Sequence, residues 1–60
     1  MTVFRVGGRK VRVWREQGRW GVAVDDAINR HWFMSEAKAA GAGLLRALEL
    51  ERRERRVRAA

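Results

Sequence analysis

Cationic side chains and a tryptophan alternate with valine in the segment "RKVRVWREQGRWGVAV", residues 9 to 24. In an extended strand, successive side chains point to opposite faces, so Arg12 and Trp14 share one face while Val11 and Val13 share the other. Arginine suits bidentate contacts with phosphates and base edges, and tryptophan supplies apolar contact or stacking. These residue types at this spacing predict a binding surface for an anionic partner.

Groups suited to catalysis are few in this sequence. It has no cysteine or tyrosine, a single histidine, and only Thr2 and Ser35 as hydroxyl side chains, so no catalytic triad can be assembled. His31 is expected to be a surface or packed residue, and the adjacent Asp25 and Asp26 to form a turn rather than a cation site. The glycines in "GGRK" and "GAG" lack the phosphate-loop pattern. We therefore expect no enzymatic activity, no metal and no cofactor.

Composition predicts one small basic domain. The chain has 60 residues and a net charge of +7, and 12 of its 14 basic residues are arginine. The excess is concentrated in residues 1 to 19 and 51 to 60, which carry six bases against one acid and five against two. Without cysteine, an apolar core or a partner must hold the fold. No apolar run is long enough for a signal peptide or a membrane span, so a cytoplasmic location is expected.

Two short turns predict a three-stranded meander. Gly7-Gly8 separates two alternating runs, which is typical of a two-residue hairpin with positive φ at both central positions, and Gln17-Gly18 is interpreted in the same way. The resulting pairing puts every strand valine from Val6 onward on one face, and a one-residue slip would destroy that agreement. The expected inner face is Phe4, Val6, Val11, Val13, Trp20, Val22 and Val24. The expected outer face is Arg5, Lys10, Arg12, Trp14, Arg19, Gly21 and Ala23.

The remainder predicts a turn, a connection and one helix. "DDAIN" is a turn, and "RHWFM" is a short fourth strand or an extended connection. Ser35 is a suitable N-cap for a helix over residues 36 to about 56. The expected class is α+β, a three- to four-stranded antiparallel β-meander (residues 2 to 34) packed against one C-terminal helix within a single domain, 1 to 60. The expected sheet-facing stripe of the helix is Ala37, Ala40, Gly41, Leu44, Leu45 and Leu48.

Several finer expectations depend on these faces. Truncating Leu44 or Leu48 to alanine should cost about 2–5 kcal/mol, and truncating Leu50 little. Trp20 and Trp32 are interpreted as packing residues and Trp14 as exposed, the competing interpretation being that the helix or a dimer partner covers Trp14. The charged tail, residues 51 to 60, either contacts phosphate or is solvated through pairs four residues apart, Glu51 with Arg55 and Glu54 with Arg58.

A short-motif resemblance covers residues 11 to about 48. "VR" at Val11-Arg12, the segment Gly18-Arg19-Trp20 and "FMS" at 33 to 35, before an alanine-rich helix, resemble the three-stranded DNA-binding domains of plant ethylene-response factors. The order of elements is also similar to that of the arm-DNA-binding domains of tyrosine integrases. The resemblance implies a sheet lying in the major groove, with Arg12, Trp14 and Arg19 nearest the DNA.

These observations favour a small basic DNA-binding protein whose sheet face docks on duplex DNA. The alternative is a small regulatory or phage-type protein that binds an acidic surface of a larger nucleic-acid-processing protein such as RNA polymerase, with Trp14 as its anchor. RNA or single-strand binding ranks third, because modules of that kind offer several exposed aromatic residues for stacking, whereas the outer face here offers only Trp14. No membrane partner is expected, and the sequence leaves the oligomeric state open. The expected nucleic-acid-binding residues are Arg5, Lys10, Arg12, Trp14, Arg19, Arg52, Arg53 and Arg56.

Overall fold

A computed structural model describes residues 1–59 and shows a four-stranded antiparallel sheet followed by one helix. The strands β1 to β4 pair in sequence order, and the helix α1 packs on one face of the sheet. This is the predicted α+β meander with a C-terminal helix. The bounds are β1 Thr2–Val6, β2 Arg9–Glu16, β3 Arg19–Val24, β4 Ala27–Ile28 and α1 Glu36–Ala59.

The register of the first three strands agrees with the sequence prediction. Phe4 pairs with Val11 across β1 and β2, and Trp14 pairs with Gly21 across β2 and β3. The strand valines from Val6 onward therefore share the inner face, where Val11, Val13 and Val22 have no exposed surface. The fourth strand is Ala27–Ile28 and not "RHWFM". That segment is an extended connection in which Phe33 exchanges two backbone hydrogen bonds with Trp20, each 2.8 Å long.

Positive φ angles mark all three hairpin turns. Gln17 and Gly18 have φ of 51° and 75°, and Asp25 and Asp26 have φ of 50° and 67°, the pattern of type I′ turns. In the first turn only Gly7 has a positive φ, 61°, so the expectation for Gly8 was wrong. A positive φ at the first turn position alone is what a type II′ turn requires. Both geometries match the right-handed twist of the flanking strands.

The helix faces the sheet mainly with small residues, so the predicted stripe was wrong at its leucines, while Ala40 does pack against the core. Ala39 and Ala47 have no exposed surface, and Gly43 lies buried between them in sequence. A Cβ atom at Gly43 would lie 2.6 Å from Val11 Cγ1 and 2.7 Å from Val22 Cγ2. The valines fill the inner face so closely that the helix backbone approaches them directly, which leaves no room for leucine.

The leucines of the predicted stripe point away from the sheet. Leu44, Leu45 and Leu48 are 42%, 69% and 41% exposed, whereas Leu50 is half-buried against the core. The helix carries two apolar rows with helical spacing, one of small residues and one that contains the leucines. The sequence pattern alone does not distinguish which row faces the sheet. The volume of the opposing valines decides which side packs on the sheet.

The relative importance of the leucines is therefore reversed. Leu50→Ala should lower the free energy of unfolding by about 2 kcal/mol because it removes core contacts, and Leu45→Ala should change it by less than about 0.5 kcal/mol. Urea melts of the two variants at low-micromolar concentration measure the difference. Equal destabilisation would contradict this helix orientation.

The helix extends beyond the sheet. The Oγ of Ser35 accepts a hydrogen bond from the Lys38 backbone amide at 3.2 Å, which confirms the predicted N-cap. The helix continues to Ala59 instead of ending near residue 56, while Ala60 of the predicted tail lies outside the described residues. Its length is roughly 36 Å, against about 27 Å for the eight residues of β2. Over the described residues, it has no stretch apolar enough, at the necessary length, to cross a membrane.

Candidate nucleic-acid interface

The outer face of the sheet gathers cationic side chains from three strands. Arg5 lies beside Lys10 in the β1–β2 register, and Arg12 and Trp14 follow on the same face of β2. Arg19 reaches this face from the start of β3, opposite Glu16. Because α1 packs on the inner face, the helix covers none of these side chains. The predicted group of four cations and one tryptophan thus shares one surface, which we call the basic face: Arg5, Lys10, Arg12, Trp14 and Arg19.

Trp32 also lies on the basic face, where it packs against Trp14 as a half-buried side chain. The rings of Trp14 and Trp32 meet edge to face, with centroids 6.1 Å apart and an interplanar angle of 85°. Both rings lie over Gly21, where a Cβ would come within 2.7 Å of Trp14 and 2.9 Å of Trp32. The backbone bonds of Phe33 direct its side chain toward the core, and alternation then sends Trp32 to the other face. That alternation was readable in "RHWFM".

The two tryptophans are held in place by polar neighbours. The Arg19 guanidinium carbon lies 4.1 Å from the centroid of Trp32, a cation–π contact, and Trp14 Nε1 donates a hydrogen bond to Glu16 Oε1 at 3.2 Å. Trp14 is consequently half-buried, neither fully exposed as predicted nor covered by the helix. Trp20 was expected to be buried and is half-buried too, packed at the margin of the core. Trp14 and Trp20 are thus similarly buried and differ mainly in the face of the sheet that they occupy.

Arg12 has a weak intramolecular partner. Its Nη2 atom lies 3.3 Å from Asp26 Oδ1, and the Asp26 side chain is 77% exposed. The Nε of Arg12 is buried and has no hydrogen-bond partner among the described residues. An exposed ion pair of this kind contributes little, about 0–1 kcal/mol. Arg12 can therefore exchange Asp26 for another anion at little cost.

Arg9 has a structural role that sequence reasoning missed. Its guanidinium lies 2.9 Å from Asp25, 3.3 Å from Glu51 and 2.9 Å from Glu54, and the side chain is only 20% exposed. Arg9 thus ties β2 to the β3–β4 turn and to the helix. These carboxylates also raise the pKa of Arg9, the Asp25 hydrogen bond foremost. The signal in the sequence was the inner-face parity of Arg9, opposite Val6, which separates it from the cations of the outer face.

Asp25 links the same elements through its carboxylate. Its Oδ1 accepts a hydrogen bond from the Lys10 backbone amide at 3.0 Å, and its Oδ2 accepts one from Arg9 Nη1 at 2.9 Å. These bonds lower the pKa of Asp25, the Lys10 amide contributing most and Arg9 next. Asp25 thus combines the turn conformation predicted for it with a bridge that the sequence did not indicate.

Removing this carboxylate should make stability less sensitive to acid. A carboxyl group whose pKa is lowered by folding stabilises the fold above its unfolded pKa of about 4, and this contribution is lost as pH falls through the folded value. Asp25→Asn keeps a side chain that tolerates positive φ but cannot pair with Arg9. Its urea midpoint should fall below wild type at pH 7 and approach wild type near pH 2. A constant gap across this range would contradict the assignment.

The tail arginines lie apart from the basic face. Arg52, Arg53 and Arg56 belong to the last turns of α1, on the opposite side of the sheet. Arg53 Nη2 pairs with Glu49 at 2.7 Å. The predicted Glu54–Arg58 pair is present at 4.0 Å, whereas Glu51 pairs with Arg9 instead of Arg55. The eight predicted binding residues therefore form two groups, five on the basic face and three on the helix extension.

No family model, curated protein or solved structure matches this chain.

Proposed function

We propose that this protein binds duplex DNA by docking the basic face of its sheet in a groove. The observation that supports the proposal most is the uncovered outer face, on which Arg5, Lys10, Arg12 and Arg19 are brought together by the strand register. A two-stranded ribbon fits the major groove of B-DNA, about 12 Å wide. Arginine and lysine on such a ribbon neutralise phosphates, and arginine also pairs with guanine edges.

The geometry of Arg12 favours contact with an oxyanion. Its pair with Asp26 is long, 3.3 Å, and the Asp26 side chain is 77% exposed. Phosphate oxygens can accept hydrogen bonds from the terminal Nη atoms of Arg12, whose side chain is 31% exposed. Exchange of Asp26 for phosphate would therefore cost only one weak ion pair.

The tryptophans favour a duplex over a single strand. Modules that bind single strands stack successive bases on aromatic faces. Here Trp14 and Trp32 pack edge to face on each other, and Arg19 covers a face of Trp32. The two tryptophans are therefore better suited to apolar contact with sugars or thymine methyl groups than to base stacking. Fluorescence anisotropy with a labelled mixed-sequence duplex at low ionic strength tests the proposal, with a single strand of the same sequence as competitor. Saturable duplex binding is expected, and its absence would refute the proposal.

The second candidate is a module that binds an acidic protein surface. It is favoured by exposed apolar residues at both margins of the same face, Val3 and Ile28, which are 52% and 64% exposed. With the tryptophan pair they supply the apolar surface that a protein interface requires, beside the cations of the same face. Capture from nuclease-treated lysate separates the candidates: a stoichiometric protein that survives nuclease supports this one, and loss of all bound material supports DNA.

Removal of the competing carboxylate should strengthen DNA binding. Asp26→Asn retains a side chain that tolerates the φ of 67° and deletes the negative charge beside Arg12. We expect the affinity for duplex to rise several-fold at low salt, since an exposed pair of about 0–1 kcal/mol no longer has to be broken. Anisotropy titrations of both proteins provide the comparison. Weaker binding by the variant would show that Asp26 positions Arg12 for its partner.

A further inference from the structure

A row of apolar side chains faces away from the sheet along α1. Leu44, Leu45 and Leu48 are 42%, 69% and 41% exposed, and Ala37 and Gly41 continue the row toward the start of the helix. We call these five residues the leucine stripe. Contiguous exposed apolar surface on a small protein marks an interaction site. This side of the helix is turned away from the sheet, and the basic face lies on the far side of the sheet.

The spacing within the stripe is that of a helix–helix seam. Ala37, Gly41, Leu44 and Leu48 are separated by four, three and four residues, as a and d positions are in a heptad. The row is narrow and ordered by size, with small residues at one end and large ones at the other. A seam that tapers in this way is self-complementary when one helix is reversed against the other.

We propose that the leucine stripe binds the leucine stripe of a second copy, with the two helices antiparallel about a twofold axis. The reversal places Leu48 opposite Ala37 of the second copy and Leu44 opposite its Gly41, so each large side chain fills the space left by a small one. A parallel pair would put leucine against leucine at one end and glycine against glycine at the other, and the helices would diverge.

Charge complementarity supports the same orientation. Lys38 and Glu49 are both exposed and eleven residues apart, close to three full helical turns, so they flank the stripe on the same side. The antiparallel arrangement places Lys38 opposite Glu49 of the second copy at both ends of the interface. A parallel pair would instead bring the two arginine-rich tails together, each with five arginines against two glutamates in residues 51 to 60.

The interface would be modest and separate from the proposed DNA-binding surface. It comprises one helix face per copy, less than the roughly 800 Å² per partner of a standard interface, so we expect a dissociation constant in the micromolar range. The helices would lie between the two sheets, leaving both basic faces open on opposite sides. The inference does not depend on DNA binding, and its tests contain no nucleic acid.

Sedimentation velocity tests the dimer. Wild type should pass from monomer to dimer between about 5 and about 500 µM, the range that brackets a micromolar constant. Leu44→Ser/Leu48→Ser should remain monomeric with an unchanged circular-dichroism spectrum. Val57→Ser, a matched loss of a 77% exposed apolar residue elsewhere on α1, should dimerise as wild type does. A wild type that stays monomeric throughout, or a double variant that dimerises equally well, would overturn the proposal.

Single introduced cysteines test the orientation directly. The chain has no cysteine of its own, so each cross-link reports the introduced positions alone. In the proposed dimer, Ala37→Cys and Leu48→Cys should form a disulfide with each other when mixed and oxidised. Neither should cross-link to itself, since the identical positions would be about 16 Å apart along the helix. Self-cross-linking of each variant without the mixed product would show a parallel pair, and no cross-link at all would overturn the interface.

Discussion

Gly43→Leu is expected to unfold the protein. Even a Cβ at this position would lie 2.6 Å from Val11 and 2.7 Å from Val22, both fully buried, so a leucine would have to push the helix off the sheet. Overpacking of this kind costs about 3 kcal/mol or more, and a chain of this size has a total stability of only about 3–9 kcal/mol. Circular dichroism and thermal melting measure the loss.

Gly41 provides the matched control on the same helix. Within the described part of the chain, no atom lies within 4 Å of a Cβ built there, outside its own helix backbone and chain neighbours. At about 5 µM, where the proposed dimer is dissociated, Gly41→Leu should therefore remain folded, and the better helix propensity of leucine should raise stability by up to about 1 kcal/mol. If the two variants melted alike, the close approach of the helix at Gly43 would be disproved.

Neutralising the basic face should produce the largest loss of DNA binding. Arg5→Gln/Arg12→Gln/Arg19→Gln removes three phosphate contacts worth about 1 kcal/mol each at this exposure, so affinity for duplex should fall about 100-fold. Arg52→Gln/Arg53→Gln/Arg56→Gln has the same net charge and should lose far less. Anisotropy titrations at one salt concentration compare them. Equal losses would mean that net charge alone, and not the sheet, determines binding.

The sheet could be predicted from the sequence because its rules are local. Side chains alternate between the two faces with a period of two residues, and Gly7 and Gly18 mark the turns. Only one register then puts the valines from Val6 onward on a single face, so no other pairing of β1 to β3 competes. The same rules placed Arg5, Lys10, Arg12, Trp14 and Arg19 on one face. The cap at Ser35 was equally readable, because capping depends on residues within one turn.

The helix face and the ion pairs could not be predicted in this way. Two apolar rows lie on opposite sides of α1, and only the three-dimensional fit of Gly43 between Val11 and Val22 selects the small one. Arg9 pairs with carboxylates 16, 42 and 45 positions away, which no short-range spacing rule finds. Trp32 is an intermediate case, since its alternation with Phe33 was visible but the inner position of Phe33 was not.

The salt dependence of duplex binding tests the central claim most directly. Each phosphate that a cation neutralises contributes about −0.9 to the slope of log K against log salt concentration, so four cations on the basic face predict a slope of about −3.6 or steeper. In Arg5→Gln/Arg12→Gln/Arg19→Gln the slope should become shallower by about 2.7. The tail triple variant of equal charge should keep most of the wild-type slope. A slope unchanged by the sheet substitutions, or lost with the tail substitutions, would contradict DNA binding through the basic face.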